Sequence, residues 1–367
     1  MKICKRCIMD ETANNFFLDE HGFCNYCNEF YAKNIISNPE NSKIQINFQN
    51  LINKIKKSKN KYDCVVGISG GVDSSWVLVS AIKLGLKPLA VHMDNSWNSE
   101  LAQNNIENLV KKLDVDLYTY VIDWNEYREM MEAFFASNVI DIELLYDNAM
   151  YAVNYKLAKK FNCKFILSGH NASTEGMKIP EEWNWFKYDK RQIYDIVKKF
   201  SKIKINTFPS IGVLDYAKYR FLNNILQINL LDYMSYNKEF ALKELEKNYG
   251  YKRYPYKHYE SIFTRFYQGY ILIEKFNVDK RKVHLSNLIC TNQLSRTKAL
   301  EMLNKTKYGY ENKLDLKEDI DYFLKKMKWD FNKLKCYLEA ERVNHHEFKT
   351  EKNLYKNLSY FYKFLKR

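Results

Sequence analysis

The sequence predicts an α/β protein built on a doubly wound parallel sheet, with a small cysteine-bearing unit ahead of it and a helical domain behind it. Strand-like apolar runs alternate with helical patterns from Asp63 to Leu167. Such alternation gives a parallel sheet covered on both faces, with ligands at the carboxyl ends of its strands. A glycine-rich turn, Ser69-Gly70-Gly71, joins the first strand to the first helix, and two C-x-x-C pairs stand near the start of the chain. With 367 residues, 46% of them hydrophobic, the chain can bury a full core and divide into units. The expected units are residues 1–33, 34–214 and 215–367.

The first unit rests on Cys4-Lys5-Arg6-Cys7 and Cys24-Asn25-Tyr26-Cys27, two pairs separated by sixteen residues. This is the spacing of a Cys4 zinc ribbon, in which each pair sets two thiolates on one tight turn. The intervening chain can return as a hairpin through Asp19-Glu20-His21-Gly22, with His21 either on that turn or in place of one ligand. Four thiolates close a tetrahedral shell, so the zinc is expected to be structural; a redox dithiol is the other use of such pairs. The remaining cysteines, Cys64, Cys163, Cys290 and Cys336, have no C-x-x-C spacing and read as buried small hydrophobes.

The segment from Asn34 to Lys61 is rich in Lys and Asn, with a helical period in Phe48, Leu51, Ile52 and Ile55, and reads as a linker helix. Strands are expected at Asp63–Ile68, Pro88–Met93, Leu117–Ile122 and Lys164–Leu167. Helices are expected at Ser74–Leu84, Ser99–Leu113, Tyr127–Ser137 and Ala149–Phe161. Beyond about Asp215 strand signals fade. Asn237 reads as the cap of a helix that closes at Gly250, and Ser295 and Thr350 as further caps.

Lys+Arg of 58 against Asp+Glu of 44 gives a formal charge of +14. That excess suits a polyanionic ligand such as a nucleotide, a sugar acid or RNA, or is only a solvated surface. No uncharged apolar stretch is long enough to span a bilayer, and MKICKRCIMDE lacks the apolar core of a signal peptide. A cytoplasmic protein with no membrane partner is therefore expected, and in that reducing compartment cysteines serve metals, catalysis or burial rather than disulfides.

In Ser69-Gly70-Gly71-Val72-Asp73-Ser74-Ser75 the glycines let the backbone fold so that successive N–H groups face one concavity. The helix beginning at Ser74 and Ser75 adds its free N–H groups, which favour a phosphate. The turn differs from a Walker loop by offering a carboxylate, Asp73, in place of a following Lys, and a carboxylate can hold Mg²⁺ against phosphate oxygens.

This S-G-G-x-D-S motif at a strand-to-helix junction resembles that of the PP-loop ATP pyrophosphatases. The resemblance implies the adenine-nucleotide α-hydrolase fold and cleavage of ATP between its α and β phosphates, with the adenylyl group going to a substrate oxygen. It places Asp94, in Val91-His92-Met93-Asp94-Asn95, near adenosine, and it brings Ser168-Gly169-His170-Asn171 to the same sheet edge. Gly169 and His170 would then line the nucleotide, with His170 orienting the loop, and Glu175 would be a second Mg²⁺ ligand.

Two further stretches narrow the family. Lys257-His258-Tyr259-Glu260-Ser261-Ile262-Phe263-Thr264-Arg265-Phe266-Tyr267-Gln268 is dense in specific polar groups for a core helix, and Asp279-Lys280-Arg281-Lys282 leads into His284-Leu285-Ser286. Together with the cysteine pairs and Ser173-Thr174-Glu175-Gly176, they resemble the N-acetyl sugar amidotransferases, the PP-loop group that includes PseA and WbpG. Pro255-Tyr256 stands where that pattern has a Gly pair, and Thr291-Asn292 where it has a small residue and Gly before Gln293.

The resemblance implies conversion of an acetamido group on a bacterial surface sugar to an acetamidino group through an adenylated imidate. By that assignment the loop N–H groups, Ser69, Ser74 and Ser75 hold pyrophosphate, Asp73 and Glu175 hold Mg²⁺, and Lys257 or Arg265 meets the developing phosphate charge. His258 and Glu260 contact the sugar or handle protons, and Asn95, Trp97, Asn98 and Tyr259 are substrate candidates. A salt-bridged helix packed on the sheet is the alternative for the 257–265 cluster. With Met1-Lys2 at the start of the sequence and no Cys in a Gly-rich nucleophile elbow, no Cys nucleophile for glutamine is expected, and ammonia is expected from a separate glutaminase subunit or free ammonium. A PP-loop tRNA-modifying enzyme is the alternative function, although nucleic acid is not the expected partner.

Overall fold

A computed structural model of the chain describes residues 2–33, 42–254, 259–310 and 312–365. The expected site residues Lys257 and His258, and the Pro255-Tyr256 departure, lie outside the described residues.

In chain order the first half comprises α1 (Asn25–Ala32), α2 (Ser42–Lys56), β1 (Cys64–Gly67), α3 (Val72–Lys83), β2 (Pro88–Asp94), α4 (Glu100–Leu113), β3 (Leu117–Val121), α5 (Trp124–Ala136), α6 (Leu144–Lys160), β4 (Phe165–Ser168) and the single turn α7 (Ala172–Glu175). Then follow α8 (Lys190–Phe200), α9 (Val213–Ala217), β5 (Leu226–Asn229), α10 (Lys238–Tyr249), α11 (Ile262–Phe266), α12 (Leu272–Phe276), α13 (Arg281–Cys290), α14 (Arg296–Asn304), α15 (Lys313–Met327), α16 (Phe331–Glu339) and α17 (Lys352–Leu365). A π turn, Tyr267–Ile271, joins α11 to α12 in one bent rod.

The sheet has the order β3-β2-β1-β4-β5, and every neighbouring pair is parallel. Because strand side chains alternate between faces, Val65 and Ile166 point into one core with α5, α6, α8 and the C-terminal helices. Cys64, Val66, Phe165 and Leu167 point into a second core with α2, α3, α4 and α10. The chain winds one way from β1 to β3 and the other way through β4 and β5, so strand order reverses between β1 and β4. That switch point opens a crevice at the carboxyl ends of these two strands.

Several expectations are corrected. The sheet extends past residue 214, because β5 lies beyond the point where strand signals fade; Leu-Gln-Ile-Asn is a short, half-exposed edge strand with no buried run to advertise it. Residues Ser42–Lys56 are more than a linker, since Phe48, Ile52 and Ile55 are buried in the second core. Helix α3 begins at Val72 with Gly71 as its N-cap, which puts Asp73 inside the first turn. Cys336 is exposed, whereas Cys64, Cys163 and Cys290 are buried as expected. The caps at Asn237 and Ser295 form, with Gly250 left-handed at the end of α10. Thr350 accepts the Lys352 N–H at the start of α17.

Candidate active site

The turn after β1 is held from all sides. Gly70 takes a φ of +83°, and a Cβ there would lie 2.8 Å from the Ala102 carbonyl oxygen of α4, so both conformation and space require glycine. Its own carbonyl accepts hydroxyl hydrogens from Tyr251 at 3.0 Å and Tyr254 at 3.1 Å. A trans peptide sets the next N–H opposite to that carbonyl, and the Gly71 N–H accordingly turns inward to Ser69 Oγ at 3.3 Å. Ser69 Oγ and Ser74 Oγ sit 3.2 Å apart, and Ser74 Oγ accepts the Ser69 N–H. The result is a concavity of N–H and hydroxyl groups at the positive end of α3, suited to an anion.

The loop after β4 closes against this turn. A Cβ on Gly169 would stand 2.9 Å from Ser74 N, so glycine is what lets the two loops touch. From there α7 presents Thr174, whose hydroxyl lies 3.2 Å from Asn171 Oδ1 and 3.5 Å from Asp73 Oδ2, while the other Asp73 oxygen accepts from Tyr236 Oη. Burial, reinforced by the Asp73 carboxylate, holds the Tyr236 phenol well above its ordinary pKa, so it stays a donor. Glu175 pairs with His170 Nδ1 at 2.5 Å. Asp73 and the Thr174 hydroxyl thus stand beside the phosphate cradle, with the Glu175 carboxylate next along α7, and these hard oxygens are of the type that fits Mg²⁺.

At the end of β2, Asp94 Oδ1 accepts from the Ser96 N–H at 2.7 Å and from Asn98 Nδ2 at 3.1 Å. His92 Nδ1 donates to the Ile68 carbonyl at 3.1 Å, and its Nε2 accepts from Asn98 Nδ2 at 3.0 Å. That is a neutral imidazole, and burial lowers its pKa in keeping with it. The chain ahead of α11 pairs with the same turn: Ser99 N–H donates to the Glu260 carbonyl and Ile262 N–H to the Trp97 carbonyl, each at 2.9 Å. This brings Glu260 to the cradle, with its Oε1 3.2 Å from where a Gly71 Cβ would be.

The structure therefore gathers Ser69, Gly70, Gly71, Asp73, Ser74, Asp94, Asn98, Gly169, His170, Glu175 and Glu260 around one crevice. Others fall elsewhere. Ser75 is buried, and its hydroxyl has no hydrogen-bond partner among the described residues. Trp97 is fully buried among Trp124, Phe263 and Phe323, so it is core and not a substrate contact. Asn95 is buried and braces the turn by accepting the Trp97 N–H. Tyr259 is buried and donates to the Gly309 carbonyl at 2.9 Å. Arg265 lies over the Tyr259 ring and is gripped by both oxygens of buried Asp319. That ion pair anchors α11 to α15, the salt-bridged alternative for this residue.

The sequence reasoning passed over Tyr236, Tyr251, Tyr254 and the role of Thr174. Nothing local distinguishes those three tyrosines among 29; only the return of the chain after β5 brings them to the turn.

The N-terminal cysteines form a second centre. All four are buried, their sulfurs lie within 4.8 Å of one another, and neighbouring pairs are 3.5, 3.6 and 3.7 Å apart. A tetrahedron with Zn–S of about 2.3 Å has edges of about 3.8 Å, so the set fits zinc. N–H groups of Cys7, Met9, Cys24 and Cys27 point at the sulfurs at 3.2 to 3.5 Å. Such donors and the nearby Arg6 guanidinium suit the excess negative charge of a Cys4 site. His21 sits exposed on the hairpin turn beside Glu20 and is no ligand.

Comparison with known proteins matches residues 260–363 to the family described as LPS biosynthesis protein WbpG-like, C-terminal domain, and residues 44–177 to NAD synthase. An uncharacterised protein of Methanocaldococcus jannaschii is 26% identical over 247 residues, 62% of this chain and 86% of that protein. Among solved structures, NMN synthetase from Francisella tularensis overlaps with a TM-score of 0.29 at 20% identity, over 59% of this chain and 99% of that one. The NH3-dependent NAD synthetase from Campylobacter jejuni overlaps with a TM-score of 0.30 at 20% identity, over 56% and 83%.

Proposed function

The chain belongs to the WbpG-like PP-loop family, and from that premise we propose that it is an ATP-dependent sugar amidotransferase of the carbon–nitrogen ligase type. It converts an acetamido group of a bacterial surface sugar, a nonulosonic acid such as pseudaminic acid or an O-antigen sugar, to an acetamidino group and releases AMP and pyrophosphate. The observation that carries this reading is the meeting of Glu260, the first residue of the WbpG-like segment, with Gly71 of the nucleotide turn.

An amide carbonyl is a poor electrophile with a poor leaving oxygen. Attack of that oxygen on the α-phosphorus of ATP expels pyrophosphate and leaves an imidate whose leaving group is AMP. Ammonia adds at the imidate carbon, the bond to AMP breaks, and a proton departs. The protein's part is positioning and charge neutralisation. The α3 N–H groups with Ser69 and Ser74 hold the pyrophosphate, while Asp94, Gly169 and His170 line the adenosine side. Asp73 and Glu175 would hold Mg²⁺, which supplies neutralising charge to phosphate oxygens. Glu260 orients the acetamido group or takes the proton of the incoming nitrogen. Cys4, Cys7, Cys24 and Cys27 hold a structural zinc. Ammonia comes from a separate glutaminase subunit or from free ammonium in the cytoplasm.

The test incubates the protein with ATP, Mg²⁺, ammonium and a panel of acetamido sugars. Pyrophosphate release that requires one of the sugars, with a product in which NH replaces one oxygen, is the expected result, and Asp73→Asn should cut it by about a hundredfold or more. ATP consumption that instead requires tRNA and collapses with rising salt would favour an RNA-modifying enzyme and overturn the proposal.

A further inference from the structure

Helix α7 is one turn long, too short to be stable alone, yet it carries the two residues that face Asp73 and His170. What holds it is the end of α13. The Ser173 carbonyl, in the middle of α7, accepts three donors: Asn287 Nδ2 at 2.9 Å, Thr291 Oγ1 at 3.1 Å and Gln293 Nε2 at 2.9 Å. A carbonyl has two lone pairs, so three donors converging on one oxygen fix it more tightly than satisfaction requires.

Asn287 is 1% exposed and holds α7 at both ends, its Nδ2 also reaching the Ala172 carbonyl at 3.3 Å and its Oδ1 accepting the Met177 N–H at 2.7 Å. Gln293 is held in turn, because its Oε1 accepts the Lys238 N–H at 3.2 Å, leaving the amide nitrogen for Ser173. Asn292 between the two takes a φ of +58°. Asn tolerates that left-handed conformation, and it lets Thr291 and Gln293 converge on one atom.

We infer that Asn287, Thr291 and Gln293 are positioning residues that set Thr174 beside Asp73 and Glu175 beside His170, and so set the affinity of the site for its divalent cation. The inference rests on the reading of Asp73 and Glu175 as cation ligands. All three converge on the Ser173 carbonyl.

The test is a Mn²⁺ titration followed by electron paramagnetic resonance, with an ATP analogue bridged by methylene between its α and β phosphates. The wild type is compared with the double variant Thr291→Val, Gln293→Met, which removes two donors at nearly constant volume, and with Thr291→Ser, which keeps the hydroxyl. The double variant should bind Mn²⁺ about tenfold more weakly, with nucleotide affinity, zinc content and melting temperature close to wild type, while Thr291→Ser matches wild type. Equal Mn²⁺ affinity in wild type and double variant overturns the inference and leaves the ligand assignment standing. Parallel loss of nucleotide affinity and melting temperature also overturns it, because that marks general loosening. A wild type that binds no Mn²⁺ refutes the ligand assignment itself, and the inference falls with it.

Discussion

Gly70 shows how one residue can carry both fold and chemistry. Its left-handed φ costs an L-residue about 1–2 kcal/mol, and its missing Cβ makes room for the α4 backbone at Ala102. Because the obstacle is backbone and not a flexible side chain, Gly70→Ala must push α3 and α4 apart or deform the turn. We expect a loss of about 2–4 kcal/mol in urea unfolding and at least a hundredfold loss of pyrophosphate release. A variant that kept wild-type turnover would show that the turn holds no phosphate. Residues of this kind are legible in the sequence, because the requirement is local: two glycines, two serines and a carboxylate read the same in any fold. Trp97, Asn95 and Ser75 were misjudged for the converse reason. Each stands next to a site residue in the chain, but a strand end or a helix turn points neighbours in different directions, and the burial of Trp97 is set by α5, α11 and α15, which no local pattern reveals.

At the scale of elements, α17 is fastened to the α/β core by the segment just before it. His345 is buried, stacks on Trp185 at 4.7 Å, donates from Nδ1 to Gln192 and accepts the Asp141 N–H on Nε2 at 3.0 Å. Thr350 Oγ1 and the Glu351 N–H both reach Asp189. Protonating His345 would set an N–H against the Asp141 N–H in a dry site, and burial pushes its pKa down to about 4. A base whose folded pKa lies below its unfolded value near 6.5 takes up its proton preferentially in the unfolded chain. The stabilisation it gives is complete above pH 6.5 and is lost as pH falls towards 4, by about 3 kcal/mol. His345→Gln should flatten that part of the stability profile relative to wild type, and the His345 ring resonance should titrate near pH 4; an ordinary titration near 6.5 would dismiss the idea. Strands β1 to β4 and the helices between them were legible because each carries its own period and boundary residues. Strand β5 and the clamp around His345 were not, since a half-exposed four-residue edge and a set of long-range side-chain bonds leave no periodicity to read.

Across the whole molecule, the cysteine centre and the nucleotide turn are joined by one continuous path. Arg296 donates to the carbonyls of Cys7 and Cys4 at 3.0 Å each, Ser286 Oγ accepts the Ile8 N–H, and Lys282 pairs with buried Asp10 at 2.6 Å. Within the polar stretch from Asp279 to Ser286, Lys282 and Ser286 thus seat the cysteine unit on α13, and Arg296 seats it on α14. The far end of the same α13 grips α7, and α7 touches Asp73. Closing four thiolates on one metal is worth many kcal/mol in small zinc units, of order 10, enough to decide whether residues 2–33 keep their shape and α13 its support. Stripping the metal with a strong chelator, or substituting Cys24→Ser, should therefore lower the melting temperature, raise hydrogen exchange in residues 172–177 and reduce pyrophosphate release more than tenfold, with zinc restoring the chelated protein. If the metal-free protein keeps full turnover and full protection of residues 172–177, the two centres are independent, and the cysteine unit serves some surface of its own.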